Sequence, residues 1–208
     1  MSTQRVTIQG DIPLEGLLQA GEGKGRVLIC HPHPMYGGSM HNNVVEALEE
    51  GFRRAGFATL RFNFRGVGGS MGSYGEGEGE IEDVISAWDY LREQAGKEGP
   101  AVLAGYSFGA WVSSRAAVRL ADVENLFLVA YPFAFYDATQ LAQFKGPIYF
   151  VGGSLDDIAP LDRLMEFYKH LENEKYVKVV PSAHFFGGFE RDIAAFVQEC
   201  FLQDEGGR

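Results

Sequence analysis

Gly105-Tyr-Ser-Phe-Gly109 sets a serine between two glycines in the pattern G-x-S-x-G. The motif stands between an apolar run, Ala101 to Ala104, and a segment that turns helical near Phe108. A serine at the tip of so sharp a strand-to-helix turn is held in a strained backbone, and residues two positions away must be small. The helix N-terminus behind it offers free N–H groups and partial positive charge. A chance G-x-S-x-G is common in a chain with 27 glycines. At a strand-helix junction it is not, so Ser107 is read as a nucleophile.

A serine needs a base, and the base needs an orienting acid. In sheets with this turn they follow in the order Ser, acid, His. Two histidines come after Ser107. His170 falls near the end of a helical stretch, where a solvated histidine suits the helix dipole. His184, in Pro181-Ser-Ala-His-Phe-Phe-Gly, follows the last strand at the edge where parallel sheets carry their chemistry, and is read as the base. Asp162 fits the first turn of the next helix. Asp156 and Asp157 are adjacent, and their local sequence leaves the choice open.

Acyl transfer also requires donors for a developing oxyanion. The amide of Phe108 is one candidate. The other belongs to the loop His31-Pro-His-Pro-Met-Tyr-Gly-Gly after the third strand, where Pro32 and Pro34 have no N–H, leaving His33 and Met35. His31-x-His33 could also begin a metal site, but the third and fourth ligands are missing from the loop, so no metal is expected.

These residues must be held by a scaffold. Arg5–Gly10 and Leu14–Gln19 read as an antiparallel pair. Strand patterns then alternate with helical ones: strands at 26–30, 57–64, 101–106, 126–131, 148–152 and 176–180, helices at 44–55, 81–95, 108–120, 161–171 and 189–201. This predicts an α/β fold over residues 1–208 as one domain, a mostly parallel sheet with helices on both faces. The glycine-rich stretch Gly66–Gly79 fits neither the dinucleotide nor the phosphate-loop pattern, because position 71 is Met and no Lys-Ser/Thr pair follows. It reads as a mobile loop.

The formal net charge is −10, and no basic run exceeds Arg53-Arg54, which sets nucleic acid and anionic membranes aside as partners. No apolar stretch approaches the ~18 residues of a membrane span. The opening residues lack a basic n-region followed by an apolar core. Cys30 and Cys200 sit in apolar patterns as small core residues. A cytoplasmic location is expected.

Taken together, His31-Pro-His-Pro-Met-Tyr-Gly-Gly-Ser-Met, Arg61-Phe-Asn-Phe-Arg-Gly-Val-Gly-Gly-Ser, Gly105-Tyr-Ser-Phe-Gly and Ala183-His-Phe-Phe resemble the small lidless bacterial α/β-hydrolases, predicted hydrolases related to dienelactone hydrolases and acyl-peptidase domains. The resemblance spans nearly the whole chain. It implies the α/β-hydrolase fold and selects His33 as the second oxyanion donor. The family's G-x-x-D-x-x-V-P matches Gly153-Ser-Leu-Asp-Asp-Ile-Ala-Pro160, with Ala159 for valine, and so selects Asp156. Arg65-Gly-Val-Gly-x-Ser70 looks like a structural turn. Dienelactone hydrolases use cysteine, so Ser107 argues against their chemistry.

Fifteen residues separate Tyr131 from Pro147, too few for a cap domain. An open site suits a small-molecule acyl substrate, with Tyr36, Tyr106, Phe133 and Phe185 as expected contacts. The expected activity is hydrolysis of small to medium acyl esters without a cofactor, by a monomer or homodimer. A thioesterase or short-peptide hydrolase with the same three residues is the alternative, followed by a non-catalytic binding protein on the same scaffold.

Overall fold

The computed structural model describes residues 3–96 and 98–202. Eight strands form one sheet: β1 (Thr3–Ile8), β2 (Leu14–Gln19), β3 (Arg26–Cys30), β4 (Ala58–Phe62), β5 (Ala101–Tyr106), β6 (Asn125–Val129), β7 (Ile148–Gly153) and β8 (Lys175–Val180). Their spatial order is β1-β2-β4-β3-β5-β6-β7-β8. β1 and β2 are antiparallel to each other, and β2 is antiparallel to β4. Every later pairing is parallel. Among the described residues, six α-helices complete the fold: α1 (Asn43–Arg54), α2 (Glu78–Ala95), α3 (Phe108–Ala117), α4 (Thr139–Gln143), α5 (Leu161–His170) and α6 (Glu190–Phe201).

Alternation along the buried strands decides which residues meet which helices. Val27, Ile29, Val102, Ala104, Tyr106, Phe127 and Val129 face α1 and α6, against Val45, Leu48, Phe52, Ile193 and Val197. Leu28, Cys30, Leu103, Leu126, Leu128 and Phe150 face the other way, against Val84, Trp88, Leu91, Val112 and Leu164. Burying each large apolar side chain contributes about 1.5–3 kcal/mol, and this two-sided core fixes the edge from which the loops emerge.

The sequence-based elements survive with shifted ends. β1 begins and ends two residues earlier than expected, because its register with β2 runs from Thr3 opposite Gln19 to Ile8 opposite Leu14. α2 begins at Glu78 rather than Ile81. The 3-10 turn Pro34–Tyr36 and the short α4 were not anticipated. α4 is all the regular structure that the β6–β7 connection holds, so among the described residues no cap covers the sheet. Among the described residues, no helix is long and apolar enough to cross a membrane, and both cysteines are free thiols.

The glycine-rich stretch was expected to be mobile; instead it is tied down. The Gly66 amide donates to Met71 O. Ser70 Oγ donates to Asn63 O and accepts from the Glu15 amide. Arg65 forks onto Asp83. The fully buried Glu80 carboxylate accepts from the amides of Gly75 and Gly77, 2.8 and 2.7 Å away. Glu80 thereby caps α2, which is why that helix starts early.

Candidate active site

β5 ends at Tyr106, and the chain reverses at Ser107 with φ 54° and ψ −117° before entering α3. Positive φ at a residue with a side chain is strained and persists only where packing enforces it. Gly105 and Gly109 show how. A Cβ on Gly105 would run into the carbonyl of Gly109, and one on Gly109 into the carbonyls of Cys30 and His31. Both glycines are therefore demanded by close backbone approach, and the turn lifts Ser107 Oγ to the carboxyl edge of the sheet.

Two further loops reach the same point. His184 Nε2 lies 3.0 Å from Ser107 Oγ, and Nδ1 lies 2.8 Å from Asp156 Oδ2. With the serine hydroxyl donating to Nε2, the ring carries its proton on Nδ1 and donates it to the carboxylate. The other carboxylate oxygen, Oδ1, accepts from the amides of Ile158 and Ala159 at 2.9 and 2.7 Å. Asp157 is exposed and makes no such contact among the described residues. The two loops are also laced together by backbone bonds, Ser154 N–H to Val180 O and Leu155 N–H to Ser182 O. All three side chains are buried, at 9%, 6% and 6% exposure for Ser107, Asp156 and His184. In that setting Coulombic and hydrogen-bond effects are stronger than in water.

The amides of Phe108 and His33 donate to no backbone or side-chain acceptor among the described residues, which leaves both free for an incoming oxygen. The Met35 amide, the other option in that loop, is occupied by His33 Nδ1 at 3.2 Å. His31 is spent on structure. Its Nε2 accepts from the Phe64 amide at 3.0 Å, and Nδ1 donates to Pro32 O at 2.6 Å. Burial pushes its pKa down to about 4, against the weaker opposing pull of the Pro32 carbonyl.

The four expected substrate contacts divide. Tyr36 and Phe185 are exposed at 87% and 70%, one against the His33 ring and the other edge-on to His184. Phe133 is half-buried against Tyr131 and Phe167, and it lines a surface groove of about 540 Å³ with Tyr136, Arg163 and His170. Tyr106 needs correction. It is 1% exposed, so it cannot line an open pocket. Its ring lies beneath His184, and its hydroxyl donates to His184 O at 2.8 Å. The cause is strand alternation, since Val102, Ala104 and Tyr106 all point toward α1 and α6. A larger groove of about 980 Å³ lies between α1 and α6 and contains none of the expected site residues.

Sequence reasoning missed two supports. Asn43 Nδ2, at the start of α1, donates to Phe185 O at 3.0 Å, so it and Tyr106 hold consecutive carbonyls of the His184 loop. Trp111 stacks on Tyr136 at 4.1 Å between ring centres and borders Phe108. Its place one turn into the helix after the serine was the available signal.

Known proteins share the family and the fold of this chain. A family model described as serine aminopeptidase, S33, matches residues 21–139. A crystal structure from Xanthomonas campestris, described as a member of the α/β serine hydrolases without lid, superposes with a TM-score of 0.86 at 30% identity, covering 96% of this chain and 93% of that one. An uncharacterised protein of Rickettsia prowazekii is 32% identical over 156 residues, 73% of this chain and 66% of its own length. Mitochondrial palmitoyl-protein thioesterase ABHD10 of Rattus norvegicus is 34% identical over 101 residues, 47% of this chain and 31% of its own length. The chain thus spans just under two thirds of one of these curated relatives and under a third of the other.

Proposed function

This chain belongs to the small lidless α/β serine hydrolases, and from that premise we propose that it cleaves small to medium acyl esters, with Ser107 as nucleophile, His184 as general base and Asp156 as its orienting carboxylate. The observation that carries the reading is the unbroken chain from Ser107 Oγ through His184 to Asp156, set at a strained turn. As Ser107 Oγ attacks the acyl carbon, its proton moves to His184 Nε2. Asp156, held by two amides of its own, stabilises the resulting imidazolium without taking its proton. The oxyanion is received by the amides of Phe108 and His33. The leaving alkoxide takes the proton from Nε2, and water then hydrolyses the acyl-enzyme by the same route.

A second reading is hydrolysis of longer acyl thioesters. It is favoured by the rim, where Met35, Tyr36, Phe135, Leu155 and Phe185 come from four different loops and are all more than 60% exposed. Such a border suits an acyl chain longer than a sheltered small pocket admits. The partial likeness to the rat palmitoyl-protein thioesterase points the same way.

A panel of p-nitrophenyl esters of increasing chain length, run beside acyl thioesters with wild type and Ser107→Ala, tests both. Turnover that peaks at about two to six carbons and vanishes in Ser107→Ala supports the ester reading. A maximum on long acyl thioesters would replace it with the second. Equal turnover by the alanine variant would remove Ser107 from the chemistry.

A further inference from the structure

The glycine-rich stretch between β4 and α2 has no part in the reaction as described, yet a fully buried carboxylate, Glu80, is committed to holding it. What it delivers is Tyr74. The Tyr74 hydroxyl lies 3.2 Å from His33 Nε2, and its ring packs on the His33 ring with centres 5.0 Å apart. The opposite nitrogen of His33, Nδ1, lies 3.2 Å from the Met35 amide.

An amide N–H can only donate, so Nδ1 must present a lone pair to Met35. A neutral imidazole then carries its proton on Nε2, and that N–H donates to the Tyr74 oxygen. The ring is pinned at both nitrogens, one tautomer is imposed, and both partners are defined by geometry. His33 also caps the 3-10 turn Pro34–Tyr36, and its ring sits on Phe108 with centres 4.8 Å apart. Phe108 and His33 are the two oxyanion candidates, and their amides meet no protein acceptor among the described residues.

We infer that Tyr74 is a positioning residue for the oxyanion site: by accepting from His33 Nε2 it fixes the His33 ring, and through the Met35 cap it fixes the backbone from which the His33 amide donates. This rests on the serine hydrolase reading above. Oxyanion stabilisation depends on donors held in place before the charge develops. A loop carrying two prolines is stiff at Pro32 and Pro34, His31 ties its start to the Phe64 amide, and the phenol adds an anchor at His33 itself. Glu80 supports it from behind, so the sequence Glu80, Gly75–Gly77, Tyr74, His33, Met35 runs from a buried carboxylate to the edge of the site.

The test combines kinetics with spectroscopy on the full chain, using p-nitrophenyl butyrate as substrate and an alkyl trifluoromethyl ketone as a tetrahedral mimic. Tyr74→Phe keeps the ring and removes the acceptor. It is expected to lower kcat about tenfold with KM within about twofold, and to weaken the ketone by a similar factor. Fluorophosphonate still labels Ser107 in that variant, because the serine and its base are untouched. His33→Asn, whose side-chain oxygen can still accept from Met35, is expected to retain more activity than His33→Ala. Imidazole ¹⁵N shifts of the wild type should show His33 protonated on Nε2 alone. Wild-type kcat and ketone affinity in Tyr74→Phe, no difference between Asn and Ala at position 33, or a proton on Nδ1 would each overturn the inference. A wild type that neither labels nor turns over ester would overturn the serine hydrolase reading, and this inference with it.

Discussion

The turns that follow β3 and β8 each hold a buried imidazole, and they use it in opposite ways. His31 is bonded at both nitrogens to backbone groups, the Phe64 amide and the Pro32 carbonyl. Among the described residues no anion pairs with it, and burial pushes its pKa down to about 4. His184 is nearly as buried, but one nitrogen meets a carboxylate and the other a hydroxyl at a strained turn. The difference teaches that burial alone makes a histidine inert. A carboxylate on the far nitrogen gives the proton somewhere to be tolerated, and a hydroxyl on the near one gives it a source.

The sharpest way to break this comparison is to remove the anion from His184. Asp156→Asn is expected to lower kcat by roughly 10⁴, because the amide imposes the wrong tautomer and no longer stabilises the imidazolium. Asp157→Asn, one residue away and exposed, should stay within about twofold of wild type. Steady-state kinetics on one ester decides it. Equal losses in the two variants would erase the distinction between the neighbouring acids.

His31 is expected to yield a stability effect where His184, as proposed, yields a catalytic one. Its folded pKa lies below the unfolded value of about 6.5. The full contribution is therefore present above pH ~6.5 and is lost as pH falls toward about 4, where the folded protein also binds the proton. The shift corresponds to roughly 3 kcal/mol across that window. Urea denaturation between pH 7 and 4 should show a decline that flattens in His31→Asn, whose side-chain oxygen can still accept from Phe64. A variant with the same slope as wild type would show that other groups carry the acid sensitivity.

A smaller effect is expected behind His184. Tyr106→Phe leaves the ring under the imidazole and deprives the His184 carbonyl of its donor, at a cost of about 1 kcal/mol. A fall in kcat of about fivefold, on that energy scale, with KM unchanged would assign the phenol to holding the loop. A change confined to KM would return Tyr106 to the substrate side, as first expected.

Where the sequence was readable, a physical constraint had left a local trace. Ser107 was legible because its turn demands glycines at 105 and 109, and His184 because chain order and loop position left one histidine suited to the role. Asp156 and Asp157 were not separable from local sequence, since what distinguishes them is which side chain turns back toward β8. That is set by the amides of Ile158 and Ala159, and only the family pattern made the choice. Tyr106 was misassigned by proximity to the serine, although the period of two along β5 already sent it toward α1 and α6. The glycine-rich stretch read as mobile because its anchor, Glu80, falls just before the helix expected at 81–95 and looks like an ordinary acid there. The short α4 has five residues, a single buried side chain and no side-chain cap, too little to leave a periodic signal.

The central claim is that His184, and not the other buried imidazole, activates Ser107. Labelling with a fluorophosphonate, followed by peptide mapping, tests it most directly when wild type, Ser107→Ala, His184→Ala and His31→Asn are compared at equal folded concentration. The account predicts an adduct on Ser107 in wild type and in His31→Asn at comparable rates, none in Ser107→Ala, and a rate in His184→Ala lower by several orders of magnitude. Labelling of His184→Ala at the wild-type rate, or an adduct on any residue other than Ser107, would contradict it.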